Sequence, residues 1–120
     1  MKYNGTYYSE IGEILPDDVF YTFDDKYNSN AVNTTAYPNI SDDLKRKLTE
    51  SAIRIFDLLD CHGLSRVDFF VNKDSGEIVF NEINTIPGFT SISMYPILMK
   101  KAGIELTELI DKLIETAFER

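Results

Sequence analysis

Between Ser41 and Gly63, apolar residues recur at intervals of three and four positions, the spacing of one face of a helix. Ser41 is a favourable N-cap, and Asp42 and Asp43 fall in the first turn, where the helix dipole favours negative charge. Gly63 is the residue type that most readily ends a helix in the left-handed conformation. The pattern therefore predicts a helix that ends at Gly63. Its apolar stripe comprises Leu44, Leu48, Ala52, Ile55, Phe56 and Leu59.

The segment after this helix changes to a period of two, as a strand does. The alternating sets are Val67, Phe69 and Val71 and, between them, Asp68, Phe70 and Asn72. Asp74-Ser75-Gly76 has the composition of a turn. Ile78 to Ile83 is then predicted to be the returning strand, so this part of the chain is expected to form an antiparallel hairpin.

The rest of the chain carries shorter patterns of apolar and polar residues. Residues 3–15 predict a strand or hairpin, whereas Asn28 to Ile40 is polar, lacks periodicity and is predicted to be a surface loop. A short helix from Pro96 to about Gly103 and a last helix from Thr107 complete the chain. The predicted fold class is α+β, a small antiparallel sheet packed against helices on one side. The predicted buried face of the last helix comprises Leu106, Leu109, Ile110, Leu113, Ile114, Ala117 and Phe118.

Composition and charge narrow the class of protein. The 120 residues suit one small domain or a piece of a larger one, and the net charge of −8 argues against a nucleic-acid or membrane partner. Cys61 is the single cysteine, so an intramolecular disulfide is excluded, and we expect Cys61 and His62 to be structural. No apolar run approaches the roughly 20 residues that span a bilayer. A cytoplasmic protein is expected.

Three oxygen-bearing side chains lie on the predicted hairpin. Asp68 is near the start of the first strand, and Glu82 and Asn84 are at the end of the second, two residues apart and so on one face. Carboxylate and amide oxygens suit Mg²⁺ or Mn²⁺, and Mg²⁺ commonly shares its coordination with the phosphates of a nucleotide. A metal site is one interpretation. Ordinary surface acids at a solvated strand end are the alternative.

A cation and a loop with small polar residues accompany these acids. Arg66 is two residues before Asp68 and would stabilise negative charge in a transition state, although a salt bridge to Asp68 or Glu82 explains it equally well. In the loop after the second strand, Gly88 allows close backbone approach to a ligand and Ser93 could bind a carboxylate or phosphate. A plain turn with capping serines is the alternative.

Three further candidates lie in the N-terminal third of the chain. Lys26 carries the point charge that suits a phosphate, Tyr27 is beside it, and Phe20 or Phe23 could pack against an aromatic base. A solvated lysine and core aromatic residues are the alternatives for these positions.

Four segments together resemble the D-alanine–D-alanine ligase family of the ATP-grasp superfamily. They are GEILP (12–16), FYTFDDKY (20–27), CHGLSRVDFF (61–70) and VFNEINTIPGFTSISMYP (79–96). The resemblance covers nearly the whole chain but only the C-terminal part of such a ligase. It implies that residues 1–120 are the C-terminal part of an ATP-grasp ligase domain. The expected parts are a mobile loop over about 20–40, a metal and substrate hairpin with its loop over 64–96, and C-terminal helices over 94–119.

The resemblance also implies a role for each candidate residue. It implies that the metal ligands, for two Mg²⁺ or Mn²⁺ ions that clamp the phosphates of ATP, are Asp68, Glu82 and Asn84. It implies that Arg66 and the backbone N–H of Gly88 stabilise the oxyanion and that Ser93 binds the carboxylate of the second D-alanine. It implies that the nucleotide is contacted by Phe20, Lys26 and Tyr27.

The implied activity is an ATP-dependent joining of two D-alanines into D-alanyl-D-alanine for peptidoglycan. ATP and D-alanine are the implied small-molecule partners, and a homodimer is left open for the full-length enzyme. The isolated chain is expected to be inactive. Two other functions remain in view: a non-catalytic binding or self-association domain that retains the fold, and a metal-dependent phosphohydrolase that uses the same carboxylates.

Overall fold

The computed structural model describes residues 1–16 and 32–118. Within these ranges the chain forms six strands, paired as three separate two-stranded antiparallel sheets, and three helices. The predicted α+β class is confirmed, with three small sheets in place of one. In chain order the elements are β1 (Lys2–Tyr3), β2 (Thr6–Tyr7), β3 (Glu13–Pro16), β4 (Val32–Thr35), α1 (Asp42–Leu58), β5 (Arg66–Val71), β6 (Ile78–Asn84), α2 (Met94–Lys101) and α3 (Leu106–Thr116).

The beginning of α1 is as predicted, and its end is not. The Ser41 hydroxyl accepts a hydrogen bond from the N–H of Leu44 at 3.2 Å, so Ser41 caps the helix. Asp60 then adopts a left-handed φ of +51°, before the chain reaches Gly63. The prediction that Gly63 ends the helix is therefore wrong. An aspartate tolerates the left-handed conformation better than most side chains do, and here it takes the position usually given to glycine.

The backbone hydrogen bonds explain why α1 ends at Leu58 and is followed by the left-handed Asp60. The N–H of Asp60 bonds the carbonyl of Asp57 at 3.1 Å, and the N–H of Cys61 bonds the carbonyl of Phe56 at 3.0 Å. These two bonds satisfy the last helical carbonyls in the pattern of a Schellman motif. Gly63 also has a left-handed φ, +69°, but it serves the connection to β5.

The polar segment after residue 28 contains a strand that the sequence analysis did not predict. Val32–Thr35 pairs antiparallel with Glu13–Pro16, and Glu13 lies opposite Thr35. A surface loop was expected over 28–40, and that expectation is wrong for β4. The hydrogen bonds that stabilise β4 come from β3, which is distant in sequence, so the local pattern of residues did not predict the strand.

The core is small and joins the N-terminus to the two C-terminal helices. Leu109 of α3 is fully buried, and Met1 and Met99 are 7% and 3% exposed. The other side of α3 is different: the side chains of Leu106, Ile110 and Ile114 are 52%, 42% and 55% exposed. The prediction that all apolar positions of this helix are buried is therefore wrong. The buried cluster comprises Met1, Tyr95, Met99, Ile104 and Leu109, with Tyr3, Tyr8, Leu64 and Leu113 packed against it.

Lys101 holds the sheet formed by β3 and β4 close to α2. Its ammonium lies 3.3 Å from the carboxylate of Glu10 and 4.7 Å from the ring centre of Tyr37, and it donates to the carbonyl of Ala36. Charge and ring contacts therefore converge on one side chain that is only 18% exposed. None of the helices in the described ranges is long and apolar enough to span a bilayer.

Candidate metal and substrate site

The acids predicted to bind metal lie opposite each other on the β5–β6 hairpin. Asp68 pairs with Glu82, and Arg66 pairs with Asn84. Residues in directly opposed positions share a sheet face, and positions two apart on one strand do so as well. All four side chains therefore project from the same face of the hairpin. The geometry on which a metal site depends, with the two carboxylates and the amide together, is present.

A β-bulge brings Glu82 opposite Asp68. From the turn onward the pairs are Val71 with Ile78 and Phe69 with Phe80, and then the register shifts so that Asp68 meets Glu82. One extra residue, Asn81, is accommodated on β6 at this point. Without the shift Asp68 would face Asn81, and Glu82 would project from the opposite face. Phe69 and Phe80 project from the face opposite to the acids. Their rings pack edge to face, with ring centres 6.2 Å apart.

Arg66 contacts both acids. Its Nε and Nη2 donate to the two oxygens of Asp68 at 2.8 Å each, and Nη2 lies 3.4 Å from Oε1 of Glu82. The bidentate contact is the strongest geometry available to a guanidinium and a carboxylate. The structure therefore shows the alternative interpretation of Arg66, a salt bridge to Asp68 and Glu82. A role at an oxyanion stays a prediction.

The donor set fits a hard divalent cation. Two carboxylates stand in opposed positions, and Oδ1 of Asn84, which accepts the N–H of Ile86 at 3.0 Å, retains a second lone pair. In the described part of the chain, no group of three or more His, Cys, Asp or Glu side chains could hold a metal. A metal here would therefore draw on the amide oxygen and on oxygens from water or a bound ligand, which is the usual habit of Mg²⁺.

The loop after β6 places Gly88 against Ser93. A Cβ added to Gly88 would lie 3.0 Å from Oγ of Ser93, so the hydroxyl would have to shift by a few tenths of an ångström to make room for a side chain. Oγ of Ser93 accepts the N–H of Thr90 at 2.9 Å and lies 2.8 Å from the hydroxyl of Thr90. Ser93 precedes α2 but does not cap it through its side chain, because its hydroxyl faces the loop. Thr90 is not among the predicted site residues, and the signal for its contact with Ser93 is the spacing of two hydroxyl residues three positions apart.

A buried tyrosine anchors this loop to the core. The ring of Tyr95 is 6.0 Å from the ring of Phe89, and only 4% of Tyr95 is exposed. Burial raises the pKa of the Tyr95 phenol, which therefore stays protonated. Pro87 is buried as well. The loop is thus held at both Pro87 and Tyr95, while Gly88 between them stays exposed.

The structure describes Cys61 but not the three residues predicted to contact the nucleotide. Phe20, Lys26 and Tyr27 lie outside the described residues. Cys61 is half-buried, and burial together with the Asp60 carboxylate raises the pKa of its thiol. A thiol with a raised pKa is a weak nucleophile at neutral pH, which accords with a structural role for Cys61.

Comparison with known proteins connects this geometry to one family. The family model described as "D-ala D-ala ligase C-terminus" matches residues 2–115. The D-alanine–D-alanine ligase of Ruminiclostridium cellulolyticum is 55% identical over 115 residues, which make up 93% of this chain and 30% of that protein. The chain therefore spans about a third of the length of such relatives.

Solved structures agree with the sequence comparison. The VanG D-Ala:D-Ser ligase of Enterococcus faecalis superposes with a TM-score of 0.76 at 40% identity, over 89% of this chain and 31% of that one. A D-alanine–D-alanine ligase of Bacillus anthracis, solved as a complex with ATP, superposes with a TM-score of 0.66 at 29% identity, over 72% of this chain and 30% of that one.

Proposed function

This chain belongs to the D-ala D-ala ligase C-terminus family, and on that premise we propose that it provides the metal-binding and acceptor-binding part of an ATP-dependent ligase. The reaction joins the carboxylate of one D-alanine to the amine of another, giving D-alanyl-D-alanine for peptidoglycan. The pairing of Asp68 with Glu82, with Asn84 on the same face, is the observation that carries this proposal.

Each part of the proposed site is assigned to a different segment of the chain. The hairpin and its loop, residues 64–96, would hold metal and substrate, and the C-terminal helices α2 and α3 would support the loop. The segment over about 20–40 would close over the nucleotide, with Phe20 against adenine and with Lys26 and Tyr27 near the transferred phosphate. The ATP-bound relative from Bacillus anthracis supports ATP as the nucleotide.

Asp68, Glu82 and Asn84 would hold Mg²⁺ or Mn²⁺, two ions in the family's pattern. When bound, the metal supplies positive charge that neutralises the phosphates of ATP. The chain's own contribution is to present oxygens from two adjacent strands, whose backbone hydrogen bonds fix their separation. A site built on paired strands loses little freedom when it binds a cation.

Arg66, Gly88 and Ser93 would act on the organic substrates. In the proposed reaction ATP phosphorylates the carboxylate of the first D-alanine and ADP is released. The amine of the second D-alanine then attacks the acyl phosphate, negative charge develops on the carbonyl oxygen, and phosphate leaves as the amide bond forms and the amine loses a proton. The guanidinium of Arg66 and the N–H of Gly88 would stabilise that charge. The Ser93 hydroxyl would bind the carboxylate of the second D-alanine. The close approach of Gly88 to Ser93 supports the proposal that one substrate contacts both.

A chimera tests the activity. The C-terminal region of the Ruminiclostridium cellulolyticum ligase, over which the two proteins match, is replaced by this chain. We expect the chimera to release ADP and D-alanyl-D-alanine from ATP and D-alanine. Glu82→Gln should lower turnover by at least about a hundredfold. Glu77→Gln is the matched control, an isosteric change at an exposed acid beside the turn of the same hairpin, and should leave turnover unchanged.

The products separate the alternatives. Phosphate release without dipeptide would indicate a phosphohydrolase, and a folded chimera without ATP turnover would indicate a binding domain that has kept the fold alone. Equal turnover of the Glu82→Gln and Glu77→Gln chimeras would contradict the assigned metal site. We further propose that the protein is cytoplasmic, because ATP is available there. A homodimer of the full-length enzyme is also part of the proposal.

A further inference from the structure

Gly12, the residue before β3, leaves room for the side chain of Met94. A Cβ built on Gly12 would overlap the terminal methyl group, Cε, of Met94. The same Cβ would lie 3.1 Å from the carbonyl oxygen of Thr35 and 3.4 Å from Cδ2 of Leu98, so the space is closed on its other sides as well. This space is called the Gly12 notch below. A side chain at position 12 and the methyl group of Met94 compete for it.

The sheet formed by β3 and β4 is held against α2, so it cannot withdraw freely to make room. Glu10, two residues before the notch, pairs with Lys101 of α2 at 3.3 Å, and each of these side chains is only 18% exposed. Lys101 also donates to the carbonyl of Ala36, just after β4. The most adaptable neighbour of the notch is the unbranched side chain of Met94. A substitution at Gly12 is therefore expected to displace Met94 before it displaces the sheet.

Met94 is bonded directly to the residue proposed to bind the acceptor. It is the first residue of α2, and Ser93 is the N-cap of that helix. The N–H of Ser93 donates to the carbonyl of Thr90 at 3.0 Å, and Oγ of Ser93 accepts the N–H of Thr90 at 2.9 Å. A turn closed by these two hydrogen bonds thus ends where Met94 begins. Because Met94 shares a peptide bond with Ser93, its displacement would disturb the position of the Ser93 hydroxyl.

We propose that Gly12 is a positioning residue for the acceptor site. By leaving the notch open, Gly12 holds the Met94 side chain on β3 and thereby fixes Ser93 beside the carboxylate of the second D-alanine. Gly12 does not touch the substrate and acts through Met94. The inference rests on the proposed function, which places Ser93 at the acceptor, and it adds a residue that lies far from Ser93 in sequence.

A double-substitution cycle in the chimera tests the proposal. Gly12→Ala should raise the KM for the second D-alanine at least about fivefold and change the KM for ATP by less than about twofold. Met94→Ala removes the methyl group that the new Cβ would overlap. In the Met94→Ala background, Gly12→Ala should therefore change the acceptor KM by less than about twofold. The matched control is Thr34→Ala, at an exposed position of β4, and should leave both KM values unchanged.

The cycle distinguishes positioning through Met94 from a purely structural need for glycine. The carbonyl oxygen of Thr35 still lies close to a Cβ at position 12 when Met94 is shortened. If that carbonyl were the reason for Gly12, the substitution would carry the same penalty in both backgrounds. An equal rise in the acceptor KM with and without Met94→Ala therefore overturns the proposal. Gly12→Ala proteins that fail to fold in both backgrounds overturn it as well.

Amide NMR spectra of the 120-residue chain test the coupling without catalysis. Gly12→Ala should shift the amide signals of Thr90 and Ser93 more than Thr34→Ala does, because both N–H groups belong to the turn that ends at Met94. In the Met94→Ala background the extra shift should disappear. Unmoved signals overturn the inference even if the chimera is active. An inactive parent chimera would contradict the proposed function instead, and the shifts would then still support the coupling of Gly12 to Ser93.

Discussion

The guanidinium of Arg66 donates two hydrogen bonds of 2.8 Å to Asp68, and Asp68 stands directly opposite Glu82 on the next strand. The cation therefore already neutralises part of the charge that a divalent metal would meet. Two like cations that share one set of carboxylate oxygens compete for them. Arg66 and metal are expected to oppose each other in binding.

Replacement of Arg66 tests this competition. We expect Arg66→Gln to bind Mn²⁺ about threefold or more tightly than the parent chain, because both Asp68 oxygens become available and a nearby positive charge is removed. Calorimetric titration of the 120-residue chain measures the change. In the chimera the same substitution should lower turnover by about a hundredfold, since an oxyanion partner is lost. Weaker Mn²⁺ binding by Arg66→Gln would show that the arginine organises the acids and does not compete.

Gly88→Ala tests the contact between the loop backbone and Ser93. The added Cβ would lie 3.0 Å from Oγ of Ser93, so the hydroxyl must shift by a few tenths of an ångström. We expect the chimera carrying this change to show a KM for the second D-alanine raised by at least about tenfold, with a smaller effect on the KM for ATP. Steady-state kinetics with each substrate varied in turn separates the two. Equal increases for both substrates would contradict the placement of Ser93 at the acceptor.

The isolated 120-residue chain should not make D-alanyl-D-alanine. It spans 30% of the matched ligase, and the proposed function assigns it only the metal-binding and acceptor-binding part of such an enzyme. Incubation with ATP, Mg²⁺ and D-alanine, with the products separated by mass spectrometry, checks this directly. Dipeptide above the level of a Glu82→Gln sample would refute the expectation.

The α-amino group of Met1 should make the stability of the isolated chain depend on pH. Its ammonium donates to the carbonyl of Tyr8 at 2.9 Å, and burial lowers its pKa from 8.0 to about 6. The unfolded chain then binds more protons than the folded chain between these two values, so stability rises with pH in that window. Below pH 6 the full cost of burying the charge applies.

From pH 6 to pH 8 we expect the contribution of this group to the free energy of unfolding to increase by about 2 kcal/mol. Urea denaturation at the two pH values measures it. The Nα-acetylated chain is the control, because its blocked amine cannot titrate. An equal pH dependence in the acetylated chain would assign the effect to other groups.

Much of the hairpin that carries the candidate site could be predicted from the sequence because it depends on local rules. Alternation at Val67, Phe69 and Val71 indicated a strand, and the turn at Asp74-Ser75-Gly76 indicated its reversal. The two-residue spacing of Glu82 and Asn84 placed both on one face. The bulge at Asn81 could not be predicted, because a register shift depends on how two strands meet and not on the pattern of either strand.

The failures share a physical origin. β4 forms because Glu13–Pro16 supplies its hydrogen bonds. The helix α1 ends at Leu58 because a pair of backbone hydrogen bonds places the left-handed residue at Asp60, before the chain reaches Gly63. Both outcomes are decided by tertiary or capping contacts that outweigh local propensity. The last helix shows the same limit. Periodicity marked seven apolar positions but could not predict that Leu109 would be buried while Leu106 and Ile114 stay more than half exposed.

The central claim is that the paired strands β5 and β6 form a site for a divalent cation. Titration of the 120-residue chain with Mn²⁺ tests it most directly, with Asp68→Asn, Glu82→Gln and the control Glu77→Gln compared at one pH and ionic strength. We predict saturable binding by the parent and by Glu77→Gln, and at least about tenfold weaker binding by the other two variants. Indistinguishable titrations for all four proteins, or no saturation of the parent below about 20 mM metal, would contradict the claim.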